Sequence, residues 1–141
     1  MSLHLETPRL YLTYEPDIET LDWIGGGRCG IYYLWFEAQH VGAISVTSCS
    51  KGNGEIGYEM EPDFRKRGFA SEALAAVIGA AHAHHGFSLL SAHAYADNTA
   101  SVRVLEKTGF IAVGSKLSWS ESRGHPVAVI RYRRLTGEAV P

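Results

Sequence analysis

Arg65, Lys66 and Arg67 stand in a row before Gly68, at the point where the hydrophobic pattern changes from the period of a strand to that of a helix. That order of residue types suits a phosphate. The first N–H groups of a helix have no intrahelical partner, and the helix macrodipole adds about half a positive charge at that end. A glycine lets an anion reach the main chain where a Cβ would stand in the way, and the neighbouring cations add attraction. A basic turn before a helix is more often a plain solvated loop, so the reading rests on a second motif further on. His82, His84 and His85 are a second group that could do chemistry. On a helix His82 and His85 share a face that His84 leaves, and no carboxylate or cysteine joins them. They are read as surface residues, with no metal expected.

The chain of 141 residues is the size of one domain, read as residues 1–141 without a linker, repeat or low-complexity tract. Hydrophobic residues make up 45% and charged residues 20%, which is the balance of a globular protein. A formal net charge of −2 argues against nucleic acid or an anionic membrane as partner, so any phosphate must be held by a local device. No apolar run approaches the ~20 residues of a membrane span, and nothing near the N-terminus reads as a signal peptide. Cys29 and Cys49 lack metal-ligand spacing and are read as thiols in a reducing cytoplasm.

These residues need elements to position them. Residues 9–14 alternate after Pro8 and read as a first strand, and residues 17–24 as a short helix stopped by Gly25-Gly26-Gly27. Residues 31–37 and 41–47 read as two strands joined by a tight turn. Lys51-Gly52-Asn53-Gly54 is a turn, and residues 55–61 the next strand. Helical spacing over residues 69–85 ends at Gly86. Residues 88–96 form a strand, Asn98 or Thr99 caps a second helix closed by Gly109, and residues 110–113 and 127–134 complete the sheet. The order specifies an α+β fold, with a mixed, mostly antiparallel sheet of six to seven strands flanked by helices. Trp23, Trp35 and Trp119 are placed in the core or a pocket wall. Arg131, Arg133 and Arg134 are read as a charged strand edge.

The second motif is Asp97-Asn98-Thr99-Ala100-Ser101 through Glu106-Lys107-Thr108-Gly109-Phe110. Together with Arg65-Lys66-Arg67-Gly68-Phe69-Ala70 it resembles the acetyl-CoA core of the GNAT superfamily of N-acetyltransferases. The second run is similar to the branch that contains ribosomal-protein N-acetyltransferases of the RimJ/RimL type, and so is the opening Glu6-Thr7-Pro8-Arg9-Leu10. The resemblance implies acetyl-CoA as co-substrate, without a metal, and a primary amine as acceptor, either a protein N-terminus or a small molecule. It places the cofactor against Met60, Arg65, Lys66, Arg67, Gly68, Phe69, Ala70, Asn98 and Ser101. A homodimer is a family-level expectation. Relatives of this branch carry two helices where only residues 15–28 lie here, so a shortened acceptor wall is expected. A non-catalytic acyl-CoA-binding module is the alternative.

An alkyl amine with a pKa of ~10.4 must lose a proton before it can attack a thioester, at a cost of about 4–5 kcal/mol near neutral pH. Three residues compete for that base. The resemblance puts Glu55 and His93 where family members carry catalytic glutamates, and imidazole is the side chain that titrates near neutrality. Glu59 shares the face of Glu55 by strand alternation and ranks behind both. For the acid, relatives use a tyrosine where this chain has Leu105; Ser101 is the substitute the branch implies, with Tyr95 weaker. A backbone N–H near Met60 is the expected oxyanion donor.

Overall fold

The computed structural model describes residues 3–16 and 30–141. Its strands are β1 (His4–Glu6), β2 (Tyr11–Pro16), β3 (Gly30–Phe36), β4 (Gln39–Ser50), β5 (Asn53–Met60), β6 (Leu89–Tyr95), β7 (Ile111–Ser120) and β8 (His125–Leu135). They form one sheet in the order β1-β2-β3-β4-β5-β6-β8-β7, and every pair is antiparallel except β5 with β6. The α+β reading holds, with eight strands instead of six or seven. β1 is three residues long, too short to show alternation. β7 runs on to Ser120, well past residue 113, and a register shift between Ala112 and Gly114 breaks its alternation.

Helix α1 (Phe69–Ala83) packs Phe69, Ala73, Leu74, Val77, Ile78 and Ala81 into the same core as Leu12, Tyr32, Leu34 and Ile44 of the strands. Truncating a side chain as fully buried as Leu74 costs about 2–5 kcal/mol. The helix ends at Ala83, two residues short of the expected His85, and Gly86, with a φ of 73°, turns the chain so that Phe87 N–H bonds the Ala81 carbonyl at 3.0 Å. His85 corrects the surface reading. It continues the stripe of Leu74, Ile78 and Ala81 one turn past the helix and is buried, with Nε2 hydrogen-bonded to the Tyr32 hydroxyl. His82 stays exposed, its Nδ1 3.1 Å from the Thr136 hydroxyl.

Helix α2 (Thr99–Lys107) is capped by Asn98, whose Oδ1 accepts from Ser101 N–H at 3.2 Å. Leu105 is its buried anchor. The expected basic edge on residues 131–134 is overturned, because β8 lies inside the sheet between β6 and β7. Side chains alternate there: Arg131 and Arg133 are exposed on one face while Arg134 is buried on the other. Arg134 donates to the carbonyls of Thr108 at 2.6 Å, Leu135 at 2.6 Å, Glu138 at 3.0 Å and Ala139 at 3.0 Å, tying the end of α2 to the C-terminal segment. Trp119 also departs from expectation, lying 59% exposed on the edge strand. Trp35 is half-buried, donating to the Thr13 hydroxyl at 3.0 Å. Trp23, Cys29 and the helix expected over residues 17–24 lie outside the described residues. No helix among the described residues is long and apolar enough to cross a membrane.

The sheet is open in the middle. β5 and β6 pair only at Asn53–Leu89, Gly54–Leu90 and Glu55–Ser91. Beyond that point the rest of β5 pairs only with β4, and the rest of β6 only with β8. The two strands splay apart, and α2 sits at the gap with the Tyr58 hydroxyl donating to the Ser101 carbonyl at 3.1 Å.

Candidate active site

One side of the gap is built from main chain. After the single turn Pro62–Phe64, Lys66 takes a φ of 64° and Gly68 a φ of 78°, both left-handed. The first helical bond joins Glu72 N–H to the Gly68 carbonyl at 3.1 Å, which leaves the N–H groups ahead of it without an intrahelical partner. Exposed Arg65 and Lys66, with Gly68 and Ala70, line a cavity of about 1050 Å³ bounded by the turn, the end of β5 and α2, while Arg67, expected beside them, lies outside that lining with its guanidinium 5.2 Å from the Phe64 ring centroid. Phe69 is buried against Phe36 at 4.9 Å between ring centroids, so it offers the cavity chiefly its main chain. Ala70 lines the wall with a side chain small enough to leave room.

Met60 closes the strand that leads in. Glu61 N–H bonds the Val41 carbonyl at 2.9 Å, so by strand alternation Met60 N–H points away from β4, into the gap. The Met60 carbonyl shares that direction and accepts from Arg65 Nε at 3.1 Å.

The turn is braced by a residue that sequence reasoning did not single out. Arg9 donates Nε to Glu72 Oε1 at 2.8 Å, its own N–H to Oε2 at 2.9 Å and Nη1 to the Arg67 carbonyl at 2.9 Å. Its guanidinium also lies 4.4 Å from the Phe69 ring centroid, and Thr7 donates its hydroxyl to Glu72. Burial alone raises the Glu72 carboxyl, but the hydrogen bonds from Thr7 and Arg9 and the guanidinium charge outweigh it and hold the group below its ordinary value. The signal was present in Glu6-Thr7-Pro8-Arg9-Leu10, where only a family likeness was read. Tyr58 was also missed. Its ring bridges the gap to Ser101, and burial raises its phenol above the ordinary range.

The other side is built from side chains. Glu55 and Glu59 share a face of β5 as expected, but they face different spaces. Glu55 lies with its Oε1 2.9 Å from His93 Nδ1, and its Oε2 is 3.9 Å from Cys49 Sγ. Both line a second cavity of about 900 Å³ that extends across β6, β7 and β8. Glu59 lies further along the splayed strand and lines the first cavity. Asn98 and Ser101 line both. Tyr95 sits on the rim of the second, its ring 4.9 Å from the guanidinium of Arg123, which is ion-paired to Asp97 at 2.6 Å. Leu105, at the position where relatives carry a tyrosine, is buried in the core and lines neither cavity. Among the described residues no three His, Cys, Asp or Glu side chains come together as a metal site.

A donor with a pyrophosphate fits the first cavity by the unpaired N–H groups, the left-handed glycine and the flanking cations. Residues 13–111 match the family model described as "Acetyltransferase (GNAT) domain". An uncharacterized N-acetyltransferase of Bacillus subtilis, YoaA, is 38% identical over 72 residues, covering 51% of this chain and 41% of that protein. The solved structure of RimL, a ribosomal L7/L12 alpha-N-protein acetyltransferase in complex with coenzyme A, superposes with a TM-score of 0.69 at 21% identity, covering 76% of this chain and 62% of its own. An apo form of RimL gives a TM-score of 0.76 at 17% identity over 96% of this chain and 95% of its own. At such identities the two structures speak for the fold. The chain spans less than half the length of YoaA and less than two thirds of the coenzyme A complex. With a family match that runs from the second strand to the start of the seventh, this chain belongs to the GNAT acetyltransferase family.

Proposed function

We propose that the protein transfers the acetyl group of acetyl-CoA to a primary amine by direct attack in a ternary complex. The observation that carries the proposal is the gap between β5 and β6. A cavity with a phosphate-type turn and a cavity with an acid–imidazole pair meet there at Asn98 and Ser101. Bound acetyl-CoA supplies a thioester carbonyl open to attack by a neutral amine. The chain does the rest. Gly68, Phe69 and Ala70 N–H groups with Arg65, Lys66 and Arg67 hold the pyrophosphate, and Asn98 and Met60 border the pantetheine arm. Glu55, in contact with His93, takes the ammonium proton. Met60 N–H, aimed into the gap, donates to the carbonyl oxygen as charge develops on it. As the N–C bond forms and the C–S bond breaks, the nitrogen gives up its second proton and the departing thiolate takes one up through the Ser101 hydroxyl, leaving a neutral amide and the thiol.

The name of the RimL relative favours a protein N-terminus as acceptor; a small-molecule amine suits the same chemistry. The buried Leu105 favours the second reading, a module that binds acyl-CoA without turnover.

Calorimetric titration with acetyl-CoA, followed by thiol release against amines and peptide N-termini, separates these readings. Binding with release on one amine class is expected. Binding without release on any acceptor establishes the module, and no binding overturns the donor assignment. Glu55→Gln should lower turnover by about 10²-fold or more, the usual scale of general base catalysis, with acetyl-CoA affinity kept within about twofold. Undiminished turnover removes Glu55 as the base.

A further inference from the structure

The second cavity carries a charge pattern that proton transfer does not use. Lys116, Arg131 and Arg133 line it together with Glu55 and His93. In register, Glu55 pairs with Ser91, Ser91 with Arg133, and His93 with Arg131. Residues directly opposite on neighbouring antiparallel strands have Cβ atoms about 5 Å apart, so Arg131 stands beside the imidazole and Arg133 one step from the carboxylate. Lys116 reaches the same space from β7.

The ion pairs among the described residues are Arg9–Glu72, His40–Glu61, His93–Glu55 and Arg123–Asp97, and none uses these three cations. The whole chain has a formal charge of −2, so three cations around one carboxylate are a local concentration against the overall sign. Cations on a strand face exposed to water need no partner. Three of them on the wall of a cavity whose one carboxylate is already in contact with a histidine make a field for an anion.

Resting on the acetyl-transfer reading, we propose that the acceptor carries a carboxylate close to its amine. The amine approaches Glu55 and His93 while Arg131 and Arg133, with Lys116, hold the carboxylate. A guanidinium suits this because its planar donors match both carboxylate oxygens. Two sources present that chemistry: a peptide with acidic residues directly after its N-terminus, and a free amino acid with its α-carboxylate.

The test is thiol release by the intact chain with matched acceptors: the C-terminally amidated peptides Ala-Asp-Glu-amide and Ala-Asn-Gln-amide, and alanine against alanine amide. The expected result is a kcat/KM at least about tenfold higher for one carboxylate-bearing acceptor than for its neutral match, shrinking as salt is raised. Which pair shows it names the source. In R131Q/R133Q the ratio should fall to within about twofold, with acetyl-CoA affinity by calorimetry unchanged; both arginines are exposed, and a melting curve confirms that the variant folds. Equal turnover of charged and neutral acceptors by the unaltered protein overturns the proposal and leaves acetyl transfer standing. So does a ratio that persists in R131Q/R133Q. A drop in acetyl-CoA affinity in that variant overturns it by assigning the cations to the donor. Absence of release with every acceptor overturns acetyl transfer and this proposal with it.

Discussion

The two sides of the gap are made differently. The side proposed for the donor is main chain: a left-handed glycine, the first turn of α1 and a strand end, braced from behind by Arg9 and Glu72. The side proposed for the acceptor is a set of exposed and half-buried side chains on the face of β5, β6, β7 and β8, with one close ion pair, Glu55 to His93. A backbone cradle serves a ligand part that does not change, because it can vary only with the path of the chain. Side chains on strand faces can be exchanged one at a time without moving the sheet, so specificity belongs there. The comparison predicts that substitutions on the donor side act through conformation and weaken binding, most where they fill the cradle, whereas those on the acceptor side act through chemistry and alter rate or selectivity.

Gly68→Val tests the first half with the largest expected effect. A β-branched residue at a φ of 78° costs about 1–3 kcal/mol, and its Cβ would meet Arg9 Nη2 at 3.3 Å, disturbing the brace as well. Acetyl-CoA affinity should fall by about 100-fold or more, since a Cβ also stands where an anion would approach the N–H groups. The domain should still melt cooperatively, with Tm lower by roughly 5–10 °C. Unchanged affinity measured by calorimetry would remove the phosphate-cradle account.

Ser101→Ala probes the boundary, with a smaller effect. The backbone of Ser101 is doubly engaged: its N–H goes to Asn98 Oδ1 and its carbonyl accepts from Tyr58. Alanine keeps both bonds and removes only the hydroxyl. Turnover should therefore fall about tenfold while acetyl-CoA affinity stays within about twofold. Equal losses in the two quantities would assign the hydroxyl to donor binding or to the fold.

The same contrast explains what could be read before any coordinates. Arg65 to Ala70 are contiguous, and a turn entering a helix is specified by local order, so composition and period sufficed to place it. Asn98 as cap was legible for the same reason. The acceptor set comes from separate strands whose meeting depends on register. Arg131 beside His93 follows only once β8 is known to lie between β6 and β7; a linear reading put those arginines on an edge. Arg134 and His85 show a second limit. Polar residues were assigned to the surface by type, but each sits at the end of an element where loose carbonyls or a buried hydroxyl needed a partner. The bulge at Val113 hid most of β7. Arg9 was visible only as part of a likeness, because its partner Glu72 lies across the fold.

The brace itself supplies the smallest test. The Glu72 carboxyl is held below its ordinary value of 4.5, because Arg9 and Thr7 stabilise the ionised form by more than burial disfavours it. A group whose folded value is depressed binds fewer protons in the folded chain than in the unfolded one wherever pH lies between the two values, so stability rises with pH in that window. The contribution is therefore complete above the ordinary carboxylate value and is lost as pH falls through the lower folded value. Glu72→Gln should cost about 1–2 kcal/mol at neutral pH, the scale of charge-assisted hydrogen bonds, and roughly 5 °C in Tm. Once pH has fallen through that depressed folded value the gap between the variant and the unaltered protein should close, since both then hold a neutral side chain facing Arg9. Acetyl-CoA affinity near neutral pH should fall only about threefold, because the cradle is loosened without being filled. A difference in Tm that does not narrow at all as pH is lowered below the ordinary carboxylate range would show that Glu72 acts by packing alone. The donor side would then owe its rigidity to the path of the chain, with no help from the charge behind it.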